Sequence, residues 1–158
     1  SCPNTDDGKC LSDDLESLEN LILKFRETSS RVIVVKVSPD STEEEVLKVC
    51  EILLNIPKTV INIGNSKYIK ADSVGLTSKT FSKEGGGLSG KSLYSNTLKT
   101  VKLISSKYDL PIIATGGVSS YDNVKELLDN GATLTGMATL LVSDPFQIPL
   151  INYRLSND

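Results

Sequence analysis

The chain has 158 residues, 39% hydrophobic and 23% charged, enough for one buried core and corresponding to about one domain. Its net charge of −3 argues against broad binding to nucleic-acid phosphates. No run of ~18 apolar residues is present to form a membrane-spanning helix, and no signal or transit pattern is seen.

In chain order, Ser12 is the expected cap of a first helix. Its Leu15, Leu18, Ile22 and Phe25 recur at three and four residues as one inward stripe. The β-branched run from Arg31 to Val37 reads as a strand buried on both faces. Ser38-Pro39-Asp40-Ser41 is a turn, and Thr42 with Glu45 forms a capping box. The helix that follows turns Val46, Val49, Cys50 and Leu53 to one side. Thr59 to Ile63 is a second strand. The 28 residues from Gly64 to Lys91 are rich in Gly, Ser, Lys and Thr and show no period, the mark of a functional or disordered loop. A helix with Leu98, Val101 and Ile104 inward precedes a strand from Pro111 to Thr115. Gly116-Gly117 then breaks the chain. Ser120 caps a helix with Val124, Leu127 and Leu128 inward, and Asn130-Gly131 ends it. Thr133 to Thr139 reads as a fourth strand, and Asp144-Pro145 opens a last helix in which Pro149 interferes with the first turns.

This αβαβαβαβα order predicts a parallel sheet with right-handed crossovers. Sites in such folds lie at the carboxyl ends of the strands. Histidine is absent, which removes Ser-His and Cys-His nucleophile pairs and His-ligated zinc. Cys2, Cys10 and Cys50 form no CxxC pair, so no metal site or disulfide framework is expected, and a reduced, cytoplasmic setting fits. Acid–base chemistry is left to Cys, Lys, Asp, Glu or Tyr, or to a cofactor.

The strand ends carry Ser1-Cys2-Pro3-Asn4, Lys36 with Ser38, Asn62 with Gly64-Asn65-Ser66, Gly116-Gly117, and Ala138-Thr139. Each has two readings. Gly116-Gly117 is a tight turn, or small residues that let backbone N–H groups approach a phosphate. Lys36 marks an exposed strand end, or a buried ammonium that needs an anionic partner. Cys2 is a small apolar residue or a reactive thiol, and Asn62 a satisfied core amide or a ligand contact. Gly85-Gly86-Gly87 is linker or a glycine loop.

Taken together these runs resemble the dihydroorotate dehydrogenase family. Pro111 to Thr133 (PIIATGGVSSYDNVKELLDNGAT) resembles its C-terminal signature, two aliphatics, a small residue, Gly-Gly, then a helix ending in Gly-Ala. Ser1-Cys2-Pro3-Asn4-Thr5 is similar to its active-site loop, Val35 to Asp40 to its flavin-contacting strand, and Gly86 to Lys91 to its later glycine loop. The resemblance implies a (β/α)₈ barrel that binds FMN and oxidises dihydroorotate to orotate in pyrimidine synthesis. This chain would be the C-terminal half of that single domain, about four β/α units, with the N-terminal half as its partner and a homodimer as the expected assembly. It implies Cys2 as the base, Asn4 and Asn62 at the substrate, and Lys36, Ser89, Gly90, Gly116, Gly117 and Thr139 around the flavin. Two departures stand out: Ile61-Asn62-Ile63-Gly64-Asn65 leaves Asn62 and Asn65 as rival substrate contacts, and Ala138 replaces a frequent glycine before Thr139. Cysteine at position 2 is usual in soluble members, whereas Gly-Gly-Leu-Ser-Gly-Lys is similar to the quinone-using class. The alternatives are a half barrel kept as a binding or scaffold module, or another FMN- or phosphate-binding barrel enzyme.

Overall fold

The computed structural model describes residues 14–77 and 83–157. Four strands, β1 (Ile33–Val37), β2 (Thr59–Ile63), β5 (Ile112–Thr115) and β6 (Leu134–Gly136), form one parallel sheet in the order β1-β2-β5-β6. Helices α1 (Leu15–Thr28), α2 (Glu43–Leu54), α3 (Tyr94–Ser105), α4 (Tyr121–Asp129) and α6 (Gln147–Leu155) join or flank them. This is the β/α-barrel arrangement, of which the chain supplies four β/α units.

Strand alternation divides the sheet into two faces. On one, Ile61, Ile63, Ile112 and Ala114 are buried against Val49, Leu53, Val101, Ile104 and Leu127 of the helices. Burying a side chain the size of Ile61 contributes about 1.5–3 kcal/mol. The other face carries Val34, Lys36, Val60, Asn62, Ile113, Thr115 and Leu134, the barrel's inner surface by alternation. Here Val34 is 49% and Leu134 is 59% exposed. The expectation of cover on both sides of β1 is therefore met on one side only. Lys36, open to both an exposed and a buried reading from the sequence, stands exposed on this face.

Local chemistry sets the helix boundaries. Thr42 and Glu45 form the reciprocal capping box of α2. Ser120 accepts the Asn123 N–H at the start of α4. Ser12 lies outside the described residues, and α1 is capped by Asp14, whose carboxylate accepts the Ser17 N–H at 3.0 Å. Phe25, expected inward, is 54% exposed: the buried stripe of α1 runs through Leu18 and Ile22, and the helix turns away at its C-terminal end. There Arg26 reaches the carbonyls of Ser29, Arg31 and Lys58. Thr59, buried at the start of β2, places its hydroxyl 2.8 and 3.0 Å from the Leu53 and Ile56 carbonyls and so closes the end of α2.

Three further differences follow from the structure. The aperiodic segment after β2 contains an antiparallel pair, β3 (Lys67–Lys70) with β4 (Gly85–Leu88), so Gly85-Gly86-Gly87 is strand. Period two is invisible there because glycine has no side chain to alternate. The fourth strand stops at Gly136, and Ala138–Ser143 is a short helix, α5, which turns Leu140 into the core. Pro149 is the third residue of α6, in the first turn, where an N–H has no intrahelical partner to lose.

Candidate functional site

The carboxyl ends of the four parallel strands meet at a cavity of about 210 Å³. Its lining includes Lys36 from β1, Gly64, Asn65 and Ser66 after β2, Ser89 and Gly90 after β4, Thr115, Gly116 and Gly117 at the end of β5, and Gly136, Ala138 and Thr139 after β6. All six residues expected around a cofactor thus line one cavity. Asn62 does not. It sits one position inside the rim, level with Lys36 across the β1–β2 ladder, and its Oδ1 is buried without a hydrogen-bond partner. Asn65, its rival, is in the lining, where its Oδ1 accepts the Ser66 N–H at 3.0 Å. Cys2 and Asn4 lie outside the described residues.

Backbone geometry makes the concavity. Gly117 has φ +73°, and a Cβ there would lie 2.4 Å from the Tyr94 nitrogen and 3.0 Å from the Gly90 oxygen. The Gly-Gly turn is thereby pressed against the start of α3, a close approach that only glycine permits. The turn is structural as well as open to the cavity. Tyr94 is fixed at its other end: its hydroxyl donates to the Glu126 carboxylate at 2.6 Å, with the Asn123 carbonyl 3.2 Å away. Burial first, then the Glu126 carboxylate, pushes this phenol up to about 12, so it remains a neutral donor. Gly90 and Thr139 face each other across the cavity, the Thr139 methyl lying 3.8 Å from where a Gly90 Cβ would stand.

Among the described residues, Lys36 is the one lining residue with a formal charge, and the rest are hydroxyls, amides, glycines and small apolar groups. Such a lining favours a ligand that carries an anionic group. Thr139 is the second residue of α5 and Ala138 the first, so the wall after β6 is the start of a short helix. Loops after the last two strands with a short helix N-terminus are a recurrent phosphate-binding layout in β/α barrels. Leu93, Thr115, Val118 and Gly136 also line the cavity and were not singled out by the sequence. Thr115 was legible, being two residues beyond Ile113 on the open face. Gly136 is explained by it, since a Cβ there would lie 2.4 Å from the Thr115 hydroxyl.

Fold and cavity together define a β/α-barrel protein whose site lies at the carboxyl ends of its strands. The family profile described as dihydroorotate dehydrogenase matches residues 1–157, and the chain belongs to that family. The dihydroorotate dehydrogenase (quinone) of Actinobacillus pleuropneumoniae serotype 7 is 34% identical, over 90% of this chain and 44% of its own length. The protein of the same description from Pseudarthrobacter chlorophenolicus is 30% identical, over 99% of this chain and 46% of its own. The solved structure of dihydroorotate dehydrogenase in complex with ferulenol from Eimeria tenella superposes with a TM-score of 0.71 at 23% identity, over 90% of this chain and 43% of that one. The chain therefore spans somewhat less than half the length of the relatives it matches. Among the described residues, no helix is long and apolar enough to cross a membrane.

Proposed function

We propose that this chain is the C-terminal half of an FMN-dependent dehydrogenase that oxidises dihydroorotate to orotate. The supporting observation is the convergence of Lys36, Ser89, Gly90, Gly116, Gly117 and Thr139 on one cavity in a chain of this family. The residues present fit a flavin mononucleotide. A cavity of about 210 Å³ is below the ~300–1,000 Å³ of whole ligand sites, so it suits the phosphate end of such a molecule. The open sheet face beside it offers Lys36 to whatever extends from the cavity.

Bound FMN supplies two-electron acceptance. Gly116, Gly117 and Thr139 would hold its phosphate through backbone N–H groups and a hydroxyl. Ser89 and Gly90 would let the backbone come close. Lys36 would supply a positive charge that favours taking up electrons. Cys2 takes the proton from C5 of dihydroorotate, a role open to a thiol whose loop tunes its pKa. Asn4 and Asn62 orient the substrate ring by hydrogen bonds. The acceptor on this reading is a quinone, supported by the Gly86 to Lys91 run and by the description of the relatives, although Cys2 is the residue usual in soluble members.

The remaining four strands come from an N-terminal half, which covers the open sheet face. With that half supplied, the protein should be yellow with about one FMN per chain. Cys2→Ala should keep the flavin and lose ~10²–10⁴-fold in turnover. Undiminished dihydroorotate oxidation by the variant overturns the assignment of the base. A colourless protein that takes up no FMN overturns the functional reading.

A further inference from the structure

The antiparallel pair β3–β4 supplies one wall of the cavity, because Ser66 immediately precedes β3 and Ser89 immediately follows β4. Yet neither strand contains a buried residue. Its three glycines have no side chains to contribute, so burial gives this arm little hold on the rest of the fold. Something else has to fix the wall.

Among the described residues, a polar tether reaches the arm from the turn after β1. The Asp40 carboxylate accepts the Tyr68 N–H at 3.0 Å, linking residues 28 apart in sequence. Both ends are well placed. Asp40 lies in the turn between β1 and α2, where the Ser38 hydroxyl accepts the Asp40 N–H at 3.2 Å and the Ser38 carbonyl accepts the Ser41 N–H at 3.2 Å. Pro39 at the second turn position presets the backbone. The capping box at Thr42 secures the other side. Tyr68 pairs with Gly87, so the tether point is two residues from Ser66 along β3 and, across the ladder, two residues from Ser89 along β4. A carboxylate held by a rigid turn thus fixes both cavity-lining serines through the backbone of the arm.

We propose that Asp40 is a positioning residue, setting the β3–β4 wall of the ligand cavity through the Tyr68 N–H. This rests on the reading of the cavity as an FMN site. The test uses the full chain with its N-terminal half and FMN as the probe. Asp40→Ala should weaken FMN binding about five- to tenfold, the size of one ordinary net intramolecular hydrogen bond. Asp40→Asn keeps an acceptor and should stay within about twofold of the parent. Hydrogen exchange at the Tyr68 amide should quicken in the Ala variant and not in the Asn variant, while amides of the parallel sheet keep their protection. Unchanged FMN affinity in the Ala variant overturns the proposal, as does equal weakening by Ala and Asn. If the parent itself binds no FMN, the functional reading fails, and Tyr68 exchange alone decides whether the tether exists.

Discussion

Gly117→Ala adds a single methyl group, and the structure gives its cost. The backbone there has φ +73°, a conformation that costs an ordinary residue about 1–2 kcal/mol. The new Cβ would lie 2.4 Å from the Tyr94 nitrogen, 2.8 Å from its Cα and 3.0 Å from the Gly90 oxygen. All three are backbone atoms, so no side chain can rotate away, and overpacking of this kind adds about 1–3 kcal/mol. The sum, roughly 2–5 kcal/mol, is a large share of the ~5–15 kcal/mol that keeps a domain folded. At about 2–4 °C per kcal/mol for a protein of this size or somewhat larger, the melting temperature should fall by on the order of 10 °C. Relief would come by moving the start of α3 and Gly90, both on the cavity, so bound flavin should fall with stability. Gly117→Val should do the same more severely. Gly75→Ala is the internal control: its backbone has φ +75° but nothing lies within 4 Å of the new Cβ, so only the backbone cost applies and the loss should be smaller. The assay is thermal melting with flavin absorbance, with the N-terminal half present. A Gly117→Ala protein that melts within about 2 °C of the parent and keeps its flavin would refute the packing argument.

Thr59→Val keeps the shape but removes the hydroxyl shared by the Leu53 and Ile56 carbonyls, and urea titration should show a loss of about 1–3 kcal/mol. An unchanged midpoint would mean that water satisfies those carbonyls. Burial pushes the Cys50 thiol up to about 12 from an ordinary value of 9.0. Because the folded-state value is raised, its contribution is complete below pH 9, where the unfolded thiol is still protonated, and declines as pH rises toward 12. Stability measured across that alkaline range should fall less steeply for Cys50→Ala than for the parent, and parallel curves would count against it. Residues 1–158 expressed alone should associate or fold loosely through the uncovered face bearing Val34 and Leu134. Size-exclusion chromatography giving a monodisperse monomer that melts cooperatively and holds one FMN would contradict that.

Periodicity located the elements that pack. Leu18 and Ile22, Val46, Val49, Cys50 and Leu53, and Val124 with Leu127 are all buried as their spacing requires, because a helix facing a sheet must place its apolar residues on one side. The same logic failed where packing does not decide structure. The strand Gly85–Leu88 carries no side-chain alternation to read, and the strand expected over Thr133 to Thr139 ends at Gly136, with helix from Ala138. Whether Lys36 is exposed was not legible, because an apolar run such as Val32 to Val37 does not tell whether its second face is covered within the chain. The cavity residues were legible because sites in parallel folds collect at strand ends, and the resemblance already named Lys36, Gly90 and Thr139. The Asp40 tether was not, since no local pattern foretells which backbone N–H a turn carboxylate will reach 28 residues away.

The helix count has a consequence for assembly. The edge strand β1 is preceded by α1, and the opposite edge β6 is followed by α6, so a helix accompanies both ends of the sheet. A closed barrel of this type has one helix over each gap between neighbouring strands, always wound in the right-handed sense. If two copies of this chain closed on each other, α6 of one and α1 of the other would claim the same gap at both seams. Strand number alone would permit such a symmetric ring, but the helical layer would be overfilled. A complement that leaves both seam gaps to α1 and α6 closes such a barrel without that conflict.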